Sequence, residues 1–332
     1  MSHHHLYAIG NALVDTEYEV SDALLHTMGV SKRHMTLIDT PQRAELLTHV
    51  QGLLARRTGG GSAGNTVLAL AQLGGKAFYS CRVADDELGA FYTQDLLANG
   101  VSTNLTHTQA SEGQTGSCMV LVTPDAERSM CTFLGATSQL DASALHPQDI
   151  AKSQIYYMEG YLAASPTGLE AAVQGRQIAI QHKVATALTL SDVSMINFCR
   201  EGLEAMIGDG LDYLFANEEE AQTWCGSTDL DTIIGQLSAL AKTVCLTRGP
   251  QGCIVVQGSQ RTEVPAVPTQ AVDTNGAGDM FAGTFLYGMT HGHTPAQAAA
   301  LANRTAAAVV SQHGNRLTAA QLQGIAAEAA KA

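Results

Sequence analysis

Val272-Asp273-Thr274-Asn275-Gly276-Ala277-Gly278-Asp279 is the stretch whose reading decides the fold. Gly276, Ala277 and Gly278 are small enough to let main-chain amides approach a ligand closely, and the residues that follow predict a helix over 276–291. A helix N-terminus with open amides is an anion site. Asp279 then falls in the first turn, where the helix dipole alone explains a carboxylate. For simple phosphate binding that carboxylate is unfavourable. A phosphoryl transferase, by contrast, needs donors for the transferring phosphate and a base for the attacking hydroxyl at one place.

Other strand ends add compatible groups. Asn217-Glu218-Glu219-Glu220 opens a helix after a strand predicted over 213–216, the position at which ligands bind in open α/β sheets. Adjacent carboxylates suit a hydrated divalent cation, and they are also common dipole partners at helix starts. Thr247-Arg248-Gly249-Pro250-Gln251-Gly252 ends another strand with a hydroxyl and two small residues, which fits a nucleotide lying against backbone or a plain turn.

A second glycine run, Gly59-Gly60-Gly61-Ser62-Ala63-Gly64-Asn65-Thr66, satisfies G-x-G-x-x-G and matches a Walker A loop except at Asn65. Asn65 stands where the lysine that neutralises phosphates must be, so a P-loop is disfavoured. A dinucleotide site needs a strand immediately before the glycines, whereas 41–58 reads as a helix ending in Arg56-Arg57. Asp85, after the next strand-like run, keeps that alternative open.

Extended and helical segments alternate along the rest of the chain. Strands are expected over 6–20, 77–84, 155–158, 184–190, 213–216 and 244–247, with antiparallel strands over 252–257 and 262–267. Helices are expected over 42–55, 64–73, 86–98, 168–182, 195–207, 231–241, 276–291 and 295–312. Parallel strands covered by helices are the expected outcome. A hairpin over 117–122 and 129–134 interrupts the rhythm. With no internal repeat or linker, the 332 residues read as one αβα domain with a small β appendage from about 12–40 and 112–135.

Lys and Arg number 18 against 31 Asp and Glu, a formal charge of −13 that argues against nucleic acid or an anionic membrane as partner. No apolar run is long enough to span a bilayer. Seven cysteines form no CxxC pair and are odd in number, which points to a reducing, cytoplasmic setting. His3-His4-His5 reads as a solvated end without function.

These residues resemble the PfkB or ribokinase family of carbohydrate and nucleoside kinases over essentially the whole chain. The family's D-T-x-G-A-G-D signature stands as Asp273 to Asp279, its G-G-x-x-x-N signature as Gly60 to Asn65, and its N-x-x-E motif as Asn217 to Glu220. The resemblance implies a ribokinase-like, Rossmann-type αβα sandwich with a β-sheet lid. It implies that Asp279 is the catalytic base and that the Gly276, Ala277 and Gly278 amides form the anion hole. It further implies that Asn217 and Glu220 hold the Mg²⁺ shell. Asp15 would take a sugar diol, since a carboxylate accepts two hydrogen bonds from vicinal hydroxyls. Asn11, Gly61, Ser62 and Asn65 would complete the sugar site, Arg128 would reach the phosphates at the substrate from the lid, and Asn217, Thr247, Gly249, Gly252 and Asn303 would contact the nucleotide. ATP is the implied co-substrate. A K⁺ site from Asp273-Thr274 and the 311–314 carbonyls, and a monomer or homodimer, are also within the family's range.

Gly10-Asn11-Ala12-Leu13-Val14-Asp15 is similar to the G-N-P-L-L-D segment of the family's adenosine-phosphorylating branch, with Ala12 in place of the proline. Gly61-Ser62 and Asn275 are also similar to that branch. The implied activity is transfer of the ATP γ-phosphate to the 5′-hydroxyl of a nucleoside, adenosine first. The alternatives are a ribose, fructose or 2-keto-3-deoxygluconate kinase, a nicotinamide-dependent oxidoreductase built on 59–64, and a non-catalytic nucleoside-binding regulator.

Overall fold

A computed structural model describes residues 4–107, 112–125 and 127–331. His3 of the histidine tract therefore lies outside the described residues. In chain order the strands are β1 (His4–Ile9), β2 (Leu13–Glu19), β3 (Met35–Leu37), β4 (Ala55–Gly60), β5 (Ala77–Ser80), β6 (Ser102–Thr103) and β7 (Ser117–Val122). They continue as β8 (Arg128–Phe133), β9 (Ser153–Glu159), β10 (Ala185–Thr189), β11 (Leu211–Asn217), β12 (Ala241–Thr247), β13 (Cys253–Gln257) and β14 (Gln260–Val264).

Nine strands form one sheet in the order β14-β13-β12-β11-β10-β9-β1-β5-β6, and five form a second, β3-β8-β7-β2-β4. In the large sheet β12 through β6 run parallel, and β13 and β14 are antiparallel. The apolar runs 6–9 and 155–158 explain the placement of β1 and β9 at its centre. Leu6, Ala8, Ile155 and Tyr157 enter the core on one face, while Tyr7, Ile9, Tyr156 and Met158 enter the core on the other. Side chains alternate across a strand, so a fully apolar strand needs helices on both sides. No helix among the described residues is long and apolar enough to cross a membrane.

Several sequence expectations need correction. The segment expected as one strand over 6–20 splits at Gly10-Asn11-Ala12 into β1 and β2, which belong to different sheets. At Gly10, where the chain passes between the sheets, a Cβ would lie 2.5 Å from the Glu159 carboxylate, so the position is kept to glycine. The helix expected over 42–55 is Thr40–His49, capped by Asp39, and Gly52 at φ 84 turns the chain away. Residues 55–58, read as that helix's end, instead form β4 with Gly59 and Gly60, antiparallel to β2. The small sheet thus includes a strand outside the 12–40 and 112–135 segments. The helix expected over 195–207 is broken at Cys199 into Val193–Phe198 and Arg200–Ile207. A short helix, Asp22–Thr27, and a closing helix, Ala319–Ala329, were not expected; Ser21 and Thr318 cap them. His4 and His5 start β1 rather than forming a solvated end, with His4 Nε2 3.3 Å from Asp149 and His5 Nδ1 accepting from the Lys76 amide.

Two helices bring the two glycine runs together. Ser62–Gln72 packs against Ala277–Thr290, and at Gly283 a Cβ would lie 2.3 Å from the Thr66 carbonyl oxygen and 2.8 Å from the Ala69 Cβ. The close approach is possible only because residue 283 lacks a side chain. The Gly283→Val variant should therefore lose about 1–3 kcal/mol of unfolding free energy through overpacking, measured by urea denaturation.

Candidate active site

Asp279 lies in the first turn of the helix Ala277–Thr290, behind Gly276, which takes a left-handed conformation at φ 77. A Cβ at Gly276 would sit 2.7 Å from the Asn315 carbonyl oxygen, so both conformation and space demand glycine. The Asp279 carboxylate accepts from Ser62 Oγ at 2.6 Å and from Asn65 Nδ2 at 3.0 Å. Both donors come from the first turn of the facing helix. Burial, opposed by these two bonds and by Arg316, pushes the Asp279 carboxyl up to about 6.

These groups line a cleft of about 590 Å³ between the sheets, together with Asn11, Asp15, Gly61, Asn217, Glu220, Thr247, Gly276 and Gly278. Asp15, on β2, accepts from Asn315 Nδ2 at 2.9 Å, and burial pushes its carboxyl up to about 6. Gly60 is small because a Cβ there would lie 2.6 Å from both Asp15 oxygens. The glycines at 60 and 61 thus make room for a carboxylate and for the Asn11 carbonyl, respectively, and no phosphate is needed to explain them.

Asn217 caps the helix Glu218–Cys225 and forms a reciprocal capping box with Glu220. The Asn217 amide nitrogens donate to Glu220 at 2.7 and 3.0 Å, and the Glu220 amide donates back at 2.8 Å. Burial, reinforced by Asp192, Asp279 and Glu219, pushes Glu220 up to about 7. The three acids do not converge: Glu218 instead pairs with Arg248 at 3.1 Å.

Several expected site residues lie elsewhere. Ala277 does not line the cleft; its amide donates to the Thr274 carbonyl and its side chain packs in the core. Gly249 and Gly252 are in the turn before β13, outside the cleft, and Gly252 abuts the Val264 carbonyl. Asn303, expected at the nucleotide, donates to the Val264 and Pro265 carbonyls at the end of β14 and does not line this cleft. Arg128 bridges Glu17 at 2.6 Å and Asp273 at 2.7 Å, so its guanidinium is committed to carboxylates, not directed into the cleft. Asp273 also accepts from the Asn275 and Gly314 amides, which leaves little of that side chain for K⁺. Asp85 lines a different cleft, away from the 61–65 glycines, and β4 is a strand of the small sheet; neither matches a dinucleotide fold.

Sequence reading missed three groups. Glu159, fully buried at the end of β9, accepts from the Asn11 amide, Asn11 Nδ2 and the Ala63 amide at 2.7–2.8 Å, and burial pushes it up to about 7. A charge closing the apolar run 155–158 is a signal that could have found it. Asn315 and Arg316 carry no such signal. The inner face of the small sheet, Leu13, Met35, Leu37, Val120, Met130 and Leu134, also faces the cleft. Its outer face, with Met119, Leu121 and Cys131, is covered by the helices Asp22–Thr27 and Thr40–His49.

The profile described as pfkB family carbohydrate kinase matches residues 35–321. The crystal structure of adenosine kinase from Sinorhizobium meliloti is 37% identical, with a TM-score of 0.87 over 98% of this chain and 99% of that one. A probable sugar kinase from Rhizobium etli CFN 42 is 35% identical, with a TM-score of 0.89 over 99% of both chains. Adenosine kinase from Saccharomyces cerevisiae is 28% identical over 309 residues, covering 86% of this chain and 89% of the relative.

Asp15, Glu159, Glu220 and Asp279 all have raised carboxyls, so the folded state binds protons more tightly than the unfolded chain. Their stabilising contribution is complete below the unfolded values near 4 and is lost as pH rises through about 6 to 7. Unfolding free energy should therefore rise as pH falls from 8 towards 5. Asp279→Asn should flatten that rise and gain about 1–2 kcal/mol at pH 8, read by urea melts across the range.

Proposed function

The chain belongs to the pfkB family of carbohydrate kinases, and we propose that this phosphotransferase moves the γ-phosphate of ATP to the 5′-hydroxyl of a ribonucleoside, adenosine first. The observation that carries the nucleoside over a free sugar is the apolar inner face of the lid, which also bears Asp15. Met35 and Leu37 on the edge strand are 52% and 60% exposed although they face the cleft. Such a surface gains by covering a planar base, about 25 cal/mol per Å² of apolar area removed from water. A free pentose, hydroxylated on every side, would leave it wet.

Asp15 holds the sugar diol, and Asp279 accepts the proton of the acceptor CH₂OH as its oxygen attacks the γ-phosphorus. The new P–O bond forms as the bond to the β-phosphate oxygen breaks, and ADP departs with the electron pair. Gly276 and Gly278 line the same cleft, and their main-chain amides at the helix start would stabilise charge on the transferring group. Among the described residues no three carboxylate, histidine or cysteine side chains converge on a metal, so a Mg²⁺ brought with the nucleotide would meet Glu220 at the cleft as an oxygen donor and keep most of its own water. Glu220, steadied by Asn217, would hold that ion through water, and the ion would offset phosphate charge. Closing the lid would exclude water from the transferring group.

An ATP-consumption screen against adenosine, inosine, guanosine, ribose and fructose tests the reading. A nucleoside should be the best acceptor; faster turnover of ribose or fructose would overturn the base-covering role and leave a sugar kinase. Two variants divide the chemistry. Asp279→Asn should cut kcat by about 10²–10⁴-fold, and near-normal turnover would remove it as the base. Asp15→Ala should raise acceptor KM by about tenfold or more, the loss of a charged hydrogen bond worth ~1.5–3 kcal/mol.

A further inference from the structure

Arg316 lies one residue layer behind the cleft. Its Nε donates to Asn65 Oδ1 at 2.8 Å, and one terminal nitrogen donates to Asp95 at 2.7 Å. Asn65 in turn donates through Nδ2 to Asp279. The order of these bonds is chemically forced. A guanidinium can only donate and an ionised carboxylate can only accept, so the amide between them must turn its oxygen to Arg316 and its NH₂ to Asp279. The reverse orientation would set two donors face to face on one side and two acceptors on the other.

We propose that Arg316 is a positioning residue for the reacting carboxylate, acting through the amide of Asn65. The inference rests on the reading of Asp279 as base given above. Ser62 and Asn65 each take one Asp279 oxygen, which fixes the plane of the carboxylate and leaves the remaining lone pairs for the acceptor hydroxyl. Asp95, on the helix Glu87–Ala98, fixes the other end of the guanidinium. Gly59 makes room for the pair, since a Cβ there would lie 2.5 Å from the Asp95 carboxylate and 3.0 Å from both terminal nitrogens of Arg316. The first glycine of a run that imitates a phosphate loop is thus explained by a half-buried ion pair. The charged and titratable groups that face Asp279 include Asp15, Glu159, Glu220, Tyr157 and Tyr161, and Arg316 is the cation that holds its carboxyl down.

Two substitutions separate orientation from charge. Arg316→Met removes both: kcat on the best acceptor should fall about tenfold to a hundredfold with KM changed less than about threefold, and the acid limb of kcat should move to higher pH. Arg316→Lys keeps a donor-only cation but lacks the fork that spans Asp95 and Asn65. It should lose about tenfold in kcat while its acid limb stays with the wild type. Unchanged kcat in the lysine variant overturns the proposal, and that test stands even where the methionine variant does not fold. The Asp279 carboxyl is also titrated by ¹³C NMR in wild type and Arg316→Met, a readout that needs no substrate. An unchanged titration there overturns the proposal as well. A wild type that phosphorylates none of the acceptors fails the kinase reading instead, and the NMR comparison still decides the role of Arg316.

Discussion

Both oxygens of Asp279 are held by donors from the opposite helix, Ser62 and Asn65, and that pair of hydrogen bonds is the constraint around which the molecule is arranged. It can form only if two helix N-termini, more than two hundred residues apart in sequence, meet within hydrogen-bond distance. Gly283 permits the approach by letting one helix backbone lie against the other, and Gly276 permits the sharp entry against Asn315. Neither helix follows a central strand: the second, Ala277–Thr290, comes after β14 at the edge of the large sheet. The first helix is entered from the small sheet at β4 and Gly61, so the small sheet is joined directly to the helix turn that supplies both donors to Asp279.

Charge is managed by distance. The chain carries −13 overall, and the arginines nearest the cleft are already spent: Arg128 on Glu17 and Asp273, Arg248 on Glu218, Arg316 on Asp95. Positive potential for a triphosphate is left to main-chain amides and to whatever cation travels with the nucleotide. Net charge therefore disfavours a polyanion spread over the surface more than one confined to a single cleft.

The parallel sheet was legible because its strands are apolar on both faces and its helices are periodic. Asp279, Ser62, Asn65, Asp15 and Glu220 were legible because short motifs hold their spacing, and the structure gathers them. What escaped was set by partners distant in sequence. β4 looks helical locally, since Leu53-Leu54-Ala55 and two arginines favour a helix, and only pairing with β2 makes it a strand. Arg128 reads as a free cation until Glu17 and Asp273 are seen beside it. Asn303 carries no sequence signal of the two carbonyls at the end of β14 that its amide nitrogen serves. Glu159 and Arg316 touch only groups that contiguous reading cannot bring to them.

Four carboxyls whose protonation is favoured by burial surround one cleft, and each is a cost that the folded chain carries at neutral pH. Ligands that supply hydroxyl donors or bring a cation reduce that cost on binding, and binding to the native state adds stability by mass action. The fraction of molecules exposed to proteolysis then falls as ligand concentration rises, so the lifetime of this chain in a cell is coupled to the supply of what it binds.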